Sequence, residues 1–487
     1  MPTPINYSGV IMRVVTLVLF AMAQLTLRAQ VLTTLHTFMG SDGATPRSGV
    51  IQGTDGSFYG TTSGGGKNNA GTIFKVASDG QLTTLYSFCE QTSCTDGSNP
   101  STPLLQAIDG AFYGTTQNGG TAGFGTFFRI TLEGALTTLY SFCAQTSCAD
   151  GGNPQVGLVQ AADGYIWGAT QTGGANGAGA IFKIAPNGLL TPMYAICSQP
   201  NCSDGKTVSG ALVQALNGNF YGVMTFGGSE NDLRAGGGTL FEITPSGVFT
   251  ILHTFCPGSA CGGGFMPSAG LTPGKNGLLY GTTTRGGLGV IFTLSLNGDY
   301  SELCSSSGCP EGLTSPLLLA TDGNFYGTID YGGPTSYGAI FQVTPAGGQT
   351  SLYSFCQQSG CPDDAFPTGN LIQGTDGAIY GTTSGQKGDD PPSNGGSVFR
   401  FSIGLAPFVE SQPSSGQVGN VVKILGTNLA GASELTFNGV RAVFKIASSS
   451  EIVTKVPVGA TTGMIEVVVP SGTLSSKGQF FVIPSGS

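Results

Sequence analysis

Phe58-Tyr59-Gly60, Phe112-Tyr113-Gly114, Ile166-Trp167-Gly168, Phe220-Tyr221-Gly222, Leu279-Tyr280-Gly281, Phe325-Tyr326-Gly327 and Ile379-Tyr380-Gly381 are one tripeptide pattern written seven times. The central residues lie 54, 54, 54, 59, 46 and 54 positions apart, and a period near ~50 is the mark of a propeller or array. Around the second copy the chain reads as four short strands: Thr102 to Ala107, Phe112 to Thr116, Gly125 to Ile130, and Leu136 to Phe142. Between the first two strands stands Asp or Asn followed by Gly in every repeat, from Asp55-Gly56 to Asp376-Gly377. A two-residue hairpin needs positive φ there, so these carboxylates are turn formers first.

The third strand recurs as Gly71-Thr-Ile-Phe-Lys-Val76 and Gly338-Ala-Ile-Phe-Gln-Val343, rich in β-branched and aromatic residues. The fourth recurs as Leu82-Thr-Thr-Leu-Tyr-Ser-Phe88, alternating with the period of a half-buried sheet. A fourth-type strand, Leu32 to Phe38, precedes the first complete repeat, whereas the last repeat stops after its third strand at Phe401. If the two ends pair, the N-terminus completes the last sheet and no inter-repeat edge is left open. The sequence therefore predicts an all-β protein whose residues 31–403 form a seven-bladed β-propeller closed by the N-terminal strand. An open β-solenoid would leave the complementary ends unexplained.

All 12 cysteines fall in pairs spaced C-x4-C: Cys89 and Cys94, Cys143 and Cys148, Cys197 and Cys202, Cys256 and Cys261, Cys304 and Cys309, Cys356 and Cys361. Each pair follows a fourth-type strand, and the first such connector, Met39 to Asp42, lacks both cysteines and is four residues shorter. Six local disulfides are expected, each worth roughly 2 kcal/mol through its short loop. Zinc needs two more ligands per pair, and the chain has only His36 and His253, so no metal or cofactor is expected. Both histidines occupy the strand position of Tyr86 and Tyr140, which makes them packing residues and leaves no catalytic residue to assign.

Strand alternation sorts the connections onto two faces. The Asp-Gly hairpins share one face with the third-to-fourth turns, such as Asn187-Gly188; the cysteine connectors and Gly-rich loops share the other. The second face carries an acidic row at Asp96, Asp150, Asp204, Glu311 and Asp363, two residues past each second cysteine, with Asp42 at the cysteine-free position and Gly263 as the exception. Such residues either cap their own turns or form a ligand-facing ring. Two irregular loops on this face add Glu230, Asp232 and Arg234, and Asp389 and Asp390, as candidate contacts, because irregular loops on a rigid scaffold carry recognition.

Only 9% of residues are charged, against a usual ~25%, and 18 basic residues against 27 acidic ones leave a net charge of −9. That balance excludes phosphate-backbone binding, which needs clustered Lys and Arg, so no nucleic acid partner is expected. Arg13, the apolar stretch Val14 to Ala23, and small-residue sites ending at Ala23 and Ala29 predict a signal peptide over residues 1–29, with a retained anchor as the alternative. With it removed, no later segment is apolar enough to span a membrane.

Together with the third and fourth strands, the phrase Leu371-Ile-Gln-Gly-Thr-Asp-Gly-Ala-Ile-Tyr-Gly-Thr-Thr-Ser384 resembles the Gloeo/Verruco repeat family of bacterial exported proteins. The resemblance covers residues 31 to about 401 and implies an extracellular repeat domain; it transfers no catalytic residue. Family members often end in a surface-anchoring segment, and none is visible after Val482. The strand pattern of residues 406–484, with Gly419-Asn-Val-Val-Lys-Ile-Leu-Gly-Thr-Asn-Leu429 and Gly463-Met-Ile-Glu-Val-Val-Val-Pro470, looks like an IPT/TIG domain, an immunoglobulin-like module. In exported proteins that resemblance implies a spacer or adhesion module, and Lys423, Arg441, Lys445 and Lys455 make no basic stripe. The leading expectation is a secreted, non-enzymatic binding or scaffold protein whose disulfide-reinforced face meets a glycan, peptide or surface protein. An extracellular polysaccharide hydrolase or lyase using paired carboxylates and a purely structural surface component are the alternatives.

Overall fold

The computed structural model describes residues 30–161, 163–228, 236–256, 264–285, 289–304, 313, 315–385 and 395–483. The expected signal peptide lies outside the described residues. Among the described residues no helix is long and apolar enough to cross a membrane.

Among the described residues from Val31 to Ser402 the strands assemble into seven antiparallel sheets. In the first, Val50–Gln52, Phe58–Thr62, Thr72–Val76 and Leu82–Ser87 pair in chain order. The next five repeat this order, the third and fifth with an extra short strand. In the seventh, Ile372–Gln373, Ile379–Thr383 and Ser397–Ser402 are joined by Val31–Thr37, which pairs antiparallel to the last of them from Val31 against Ser402 to Thr37 against Ser397.

The register of that pair is informative. Within the first sheet the third and fourth strands slip by one residue after Ile73, leaving Leu85 unpaired. The N-terminal strand slips at the same place, leaving Leu35 unpaired. Such a bulge bends its strand, and here the carbonyl of the bulged residue meets the next sheet. A Cβ on Gly188 would lie 2.4 Å from Leu139 O, and Gly188 has φ +91°. The third-to-fourth turn thus needs glycine for close approach as well as for its backbone conformation.

Core lies between sheets. Phe74, Val76 and Val50 of the first sheet cluster with Tyr380 and Val398 of the seventh, and Tyr59 of the first with Phe112 and Phe128 of the second. The other neighbouring sheets are joined by clusters of the same kind. The repeated tripeptide supplies their contacts: Tyr59 packs on Phe112, Trp167 on Phe220, Tyr280 on Phe325 and Tyr380 on Phe58, with ring centroids 3.9 to 4.3 Å apart. At the other three junctions Ile166, Leu279 and Ile379 take the place of Phe in the cluster. The last pair, Tyr380 on Phe58, brings the series back to its first member.

A glutamine row reinforces these junctions. Gln52 Nε2 donates to Gly56 O within its own hairpin, while its Oε1 accepts Thr375 N of the seventh sheet at 2.9 Å. Gln106, Gln160 and Gln373 accept Thr54 N, Ile108 N and Thr321 N in the same way. Pro273 and Leu319 stand at the matching positions of the fifth and sixth sheets.

Residues 408–482 form a separate sandwich. One four-stranded sheet contains Val421–Leu425 and Glu451–Lys455, the other Glu434–Phe437 and Ile465–Val469. Val422, Ile424, Leu435, Phe437, Ile465 and Phe480 fill its core. This module rests on the Asp-Gly hairpin side of the seventh, first and second sheets: Thr427 Oγ1 lies 2.7 Å from Thr375 Oγ1, Ser450 Oγ donates to Thr54 O, and Gln412 Nε2 donates to Gln106 O.

Candidate functional site

The cysteine connectors fold around carboxylates. Cys89 to Cys94, Cys143 to Cys148, Cys197 to Cys202 and Cys356 to Cys361 are bonded. Cys256 and Cys304 are also half-cystines, while Cys261 and Cys309 lie outside the described residues. Both cysteines of each described pair have positive φ, from 43° to 65°, a conformation costly for residues with a Cβ. The acidic row holds these turns. Asp150 accepts the Tyr140 hydroxyl at 2.8 Å, Ala144 N at 2.9 Å and Gln145 N at 3.1 Å. Asp96 and Asp204 repeat the arrangement with Tyr86 and Tyr194.

These placements decide what each candidate can do. Asp96, Asp150 and Asp204 are 0, 0 and 1% exposed, so they serve the connector interior. Burial and then the adjacent carboxylates push the phenols of Tyr86, Tyr140, Tyr194 and Tyr353 well above their ordinary range, which keeps them protonated donors. Asp42, in the connector without a disulfide, lies 2.7 Å from His36 Nε2 and accepts a single amide, Met39 N, at 2.8 Å. Glu311, Glu230, Asp232, Arg234, Asp389 and Asp390 lie outside the described residues. The tyrosine partners were a missed signal: Tyr86, Tyr140, Tyr194 and Tyr353 each stand ten residues before their aspartate, and His253 stands ten before Gly263.

The sixth connector departs from this pattern. Asp363 keeps its tyrosine, accepting Tyr353 Oη at 2.7 Å, yet it takes Cys356 N at 3.1 Å instead of the two following amides. Asp363 is half-buried. It borders a cavity of about 350 Å³ lined also by Leu32, Thr34, Tyr353, Gln357, Gln358 and Pro362, where the N-terminal strand faces the connector. Three residues on, Phe366 contacts Tyr331 and Tyr337, which are 56% and 37% exposed on the neighbouring Gly-rich loop. Among the described residues no group of three or more His, Cys, Asp and Glu is placed to hold a metal ion.

On the hairpin face the Asx residues are bound in small polar groups. Asp55 joins Tyr59 and Lys75, Asp109 joins Tyr113 and Arg129, and Asp376 joins Tyr380 and Arg400. Burial tends to raise the Asp55 pKa, but bonds from Lys75, Tyr59 and Ser57 outweigh it and hold the carboxyl below its usual range. In the fourth repeat the charge is reversed: Asn217 and Tyr221 meet Glu242, and the Tyr221 phenol is pushed up to about 12 by burial and that carboxylate.

Among solved structures the chain resembles virginiamycin B lyase from Staphylococcus aureus, with TM-score 0.52 and 15% identity over 77% of this chain and 99% of the other. It also resembles the extracellular domain of a hybrid two component system from B. thetaiotaomicron, with TM-score 0.52 and 9% identity over 92% of this chain; the chain spans 58% of that protein's length. Identities this low establish a propeller-like fold and carry no activity across. No curated protein matches the chain. An IPT/TIG domain model matches residues 408–483. The Gloeobacter/Verrucomicrobia repeat model matches residues 21–233, 87–292 and 232–408, and the chain belongs to that repeat family.

Proposed function

We propose that the protein is an exported, non-enzymatic binding scaffold in which residues 31–403 form a seven-bladed closed propeller, residues 406–484 an IPT/TIG module, and residues 1–29 a signal peptide. Its cysteine face meets a glycan, peptide or surface protein at the cell exterior. The observation that carries this proposal is the asymmetry of the two faces. The hairpin side of three sheets is occupied by the C-terminal module. Among the described residues the opposite side is free of it, and it is stiffened by disulfides over buried carboxylate clamps. Disulfides suit an oxidising compartment, and a rigid frame under loops of varied length lowers the ordering cost of binding.

The test pairs an array of glycans and surface proteins with a reducing-sugar assay on the same polysaccharides, using the secreted chain. Binding without turnover is expected. Release of reducing ends, or a chain retained in the cytoplasm with free thiols, would overturn the proposal.

A further inference from the structure

We propose that the cavity between the N-terminal strand and the sixth connector binds a pyranose residue of an extracellular glycan, an assignment that rests on the binding role above. The fold itself supplies the precedent. At the junction of the third and fourth sheets Phe249 stacks on Tyr194, with centroids 4.0 Å apart and planes at 8°. At the next junction Tyr300 stacks on His253 at 4.0 Å and 10°. Leu32 occupies the register position of Phe249 and Tyr300, opposite Phe401 as they are opposite Ile243 and Leu294. Leucine also holds this position in the first three sheets, as Leu82, Leu136 and Leu190; at the Leu32 junction a cavity lies beside Tyr353.

At the junction of the seventh and first sheets, Thr84 Oγ1 donates to Asp42 O at 3.4 Å and bridges the gap. Thr34, the counterpart of Thr84 in register, lines the cavity, and Thr138, the counterpart in the second sheet, makes no such bond either. Asp363 takes Cys356 N, so its carboxylate does not hold the backbone N–H groups of Gln357 and Gln358 as Asp96, Asp150 and Asp204 hold their counterparts.

The chemistry of this lining selects the ligand. A pyranose has an apolar C–H face and a rim of hydroxyls. The face suits Tyr353 and Leu32; the rim suits the carboxylate of Asp363, which retains acceptor capacity beyond its two donors, the backbone N–H groups of Gln357 and Gln358, and the exposed side-chain amide of Gln358. A cavity of about 350 Å³ falls at the lower end of small-ligand sites, the size for one sugar unit of a longer chain. An aromatic peptide side chain would fill the volume but leave the polar rim without partners.

The test uses gluco-, xylo-, manno- and N-acetylglucosamine oligosaccharides as probes, first on an array and then by calorimetry with the full secreted chain. Leu32→Phe fills the gap as Phe249 does and is expected to weaken the best saccharide by about tenfold or more, with an unchanged unfolding midpoint. Gln358→Ala, at an exposed position, is expected to weaken it severalfold. Saccharide binding that Leu32→Phe leaves intact would overturn this site while leaving the scaffold role standing. Failure of the wild-type chain to bind any saccharide, including the case in which it binds an aromatic peptide, would overturn the pyranose assignment.

Discussion

Each buried aspartate of the cysteine face is the centre of its connector. Asp150 gathers one hydroxyl and two amides into a site with no exposure, and hydrogen bonds to an ionised acceptor are stronger than neutral ones. Asp150→Asn is therefore expected to lower stability by about 2 kcal/mol, and Tyr140→Phe by about 1 kcal/mol. Urea unfolding of the single and double variants should give a double-mutant cycle with nonzero coupling; strict additivity would mean the two groups do not act together. The phenols also set a pH dependence. Their folded pKa values lie above the ordinary value of 10.0. Above about pH 10 the unfolded chain therefore binds fewer protons than the folded one, and stability falls as pH rises; below that point the contribution is fully present. Urea midpoints should decline across this alkaline window. The decline should be shallower in a chain with Tyr86, Tyr140, Tyr194 and Tyr353 all changed to Phe, and equal slopes would contradict the assignment.

At the scale of the element, the strands, hairpins and cysteine connectors were legible because each is specified locally: period-two alternation, Asx-Gly turns and a fixed C-x4-C spacing. What was not legible needed partners from distant sequence. The glutamine row bonds across sheets some fifty residues apart, and the cavity is lined from both Leu32 and a connector beginning at Cys356. The exchange of Asn for Asp in the hairpin turns has a cause of the same kind, since Asn217 faces Glu242 whereas Asp55 faces Lys75. Asn217→Asp is expected to cost about 0.5 to 1 kcal/mol through like-charge opposition, and Glu242→Lys on that background to recover most of it. Thermal unfolding at low salt would check this; a neutral single substitution would show that solvent screens the pair.

For the molecule as a whole, the two ends of the repeat region meet in one sheet, and the C-terminal module contacts that sheet and the first and second sheets. The repeat count and the complementary ends foretold the pairing of Val31–Thr37 with Ser397–Ser402. The seating of the module on the hairpin face was not foretold, because its contacts are single polar side chains, Gln412, Thr427 and Ser450, with no pattern in the sequence. Both the separation of two faces and the cavity under Leu32 depend on the N-terminal strand being in place. Hydrogen exchange of the mature secreted chain tests that placement most directly. If the account is right, the amides of residues 31–37 exchange as slowly as those of the equivalent strand Leu82–Ser87. Rapid exchange of residues 31–37 beside a protected Leu82–Ser87 would contradict it.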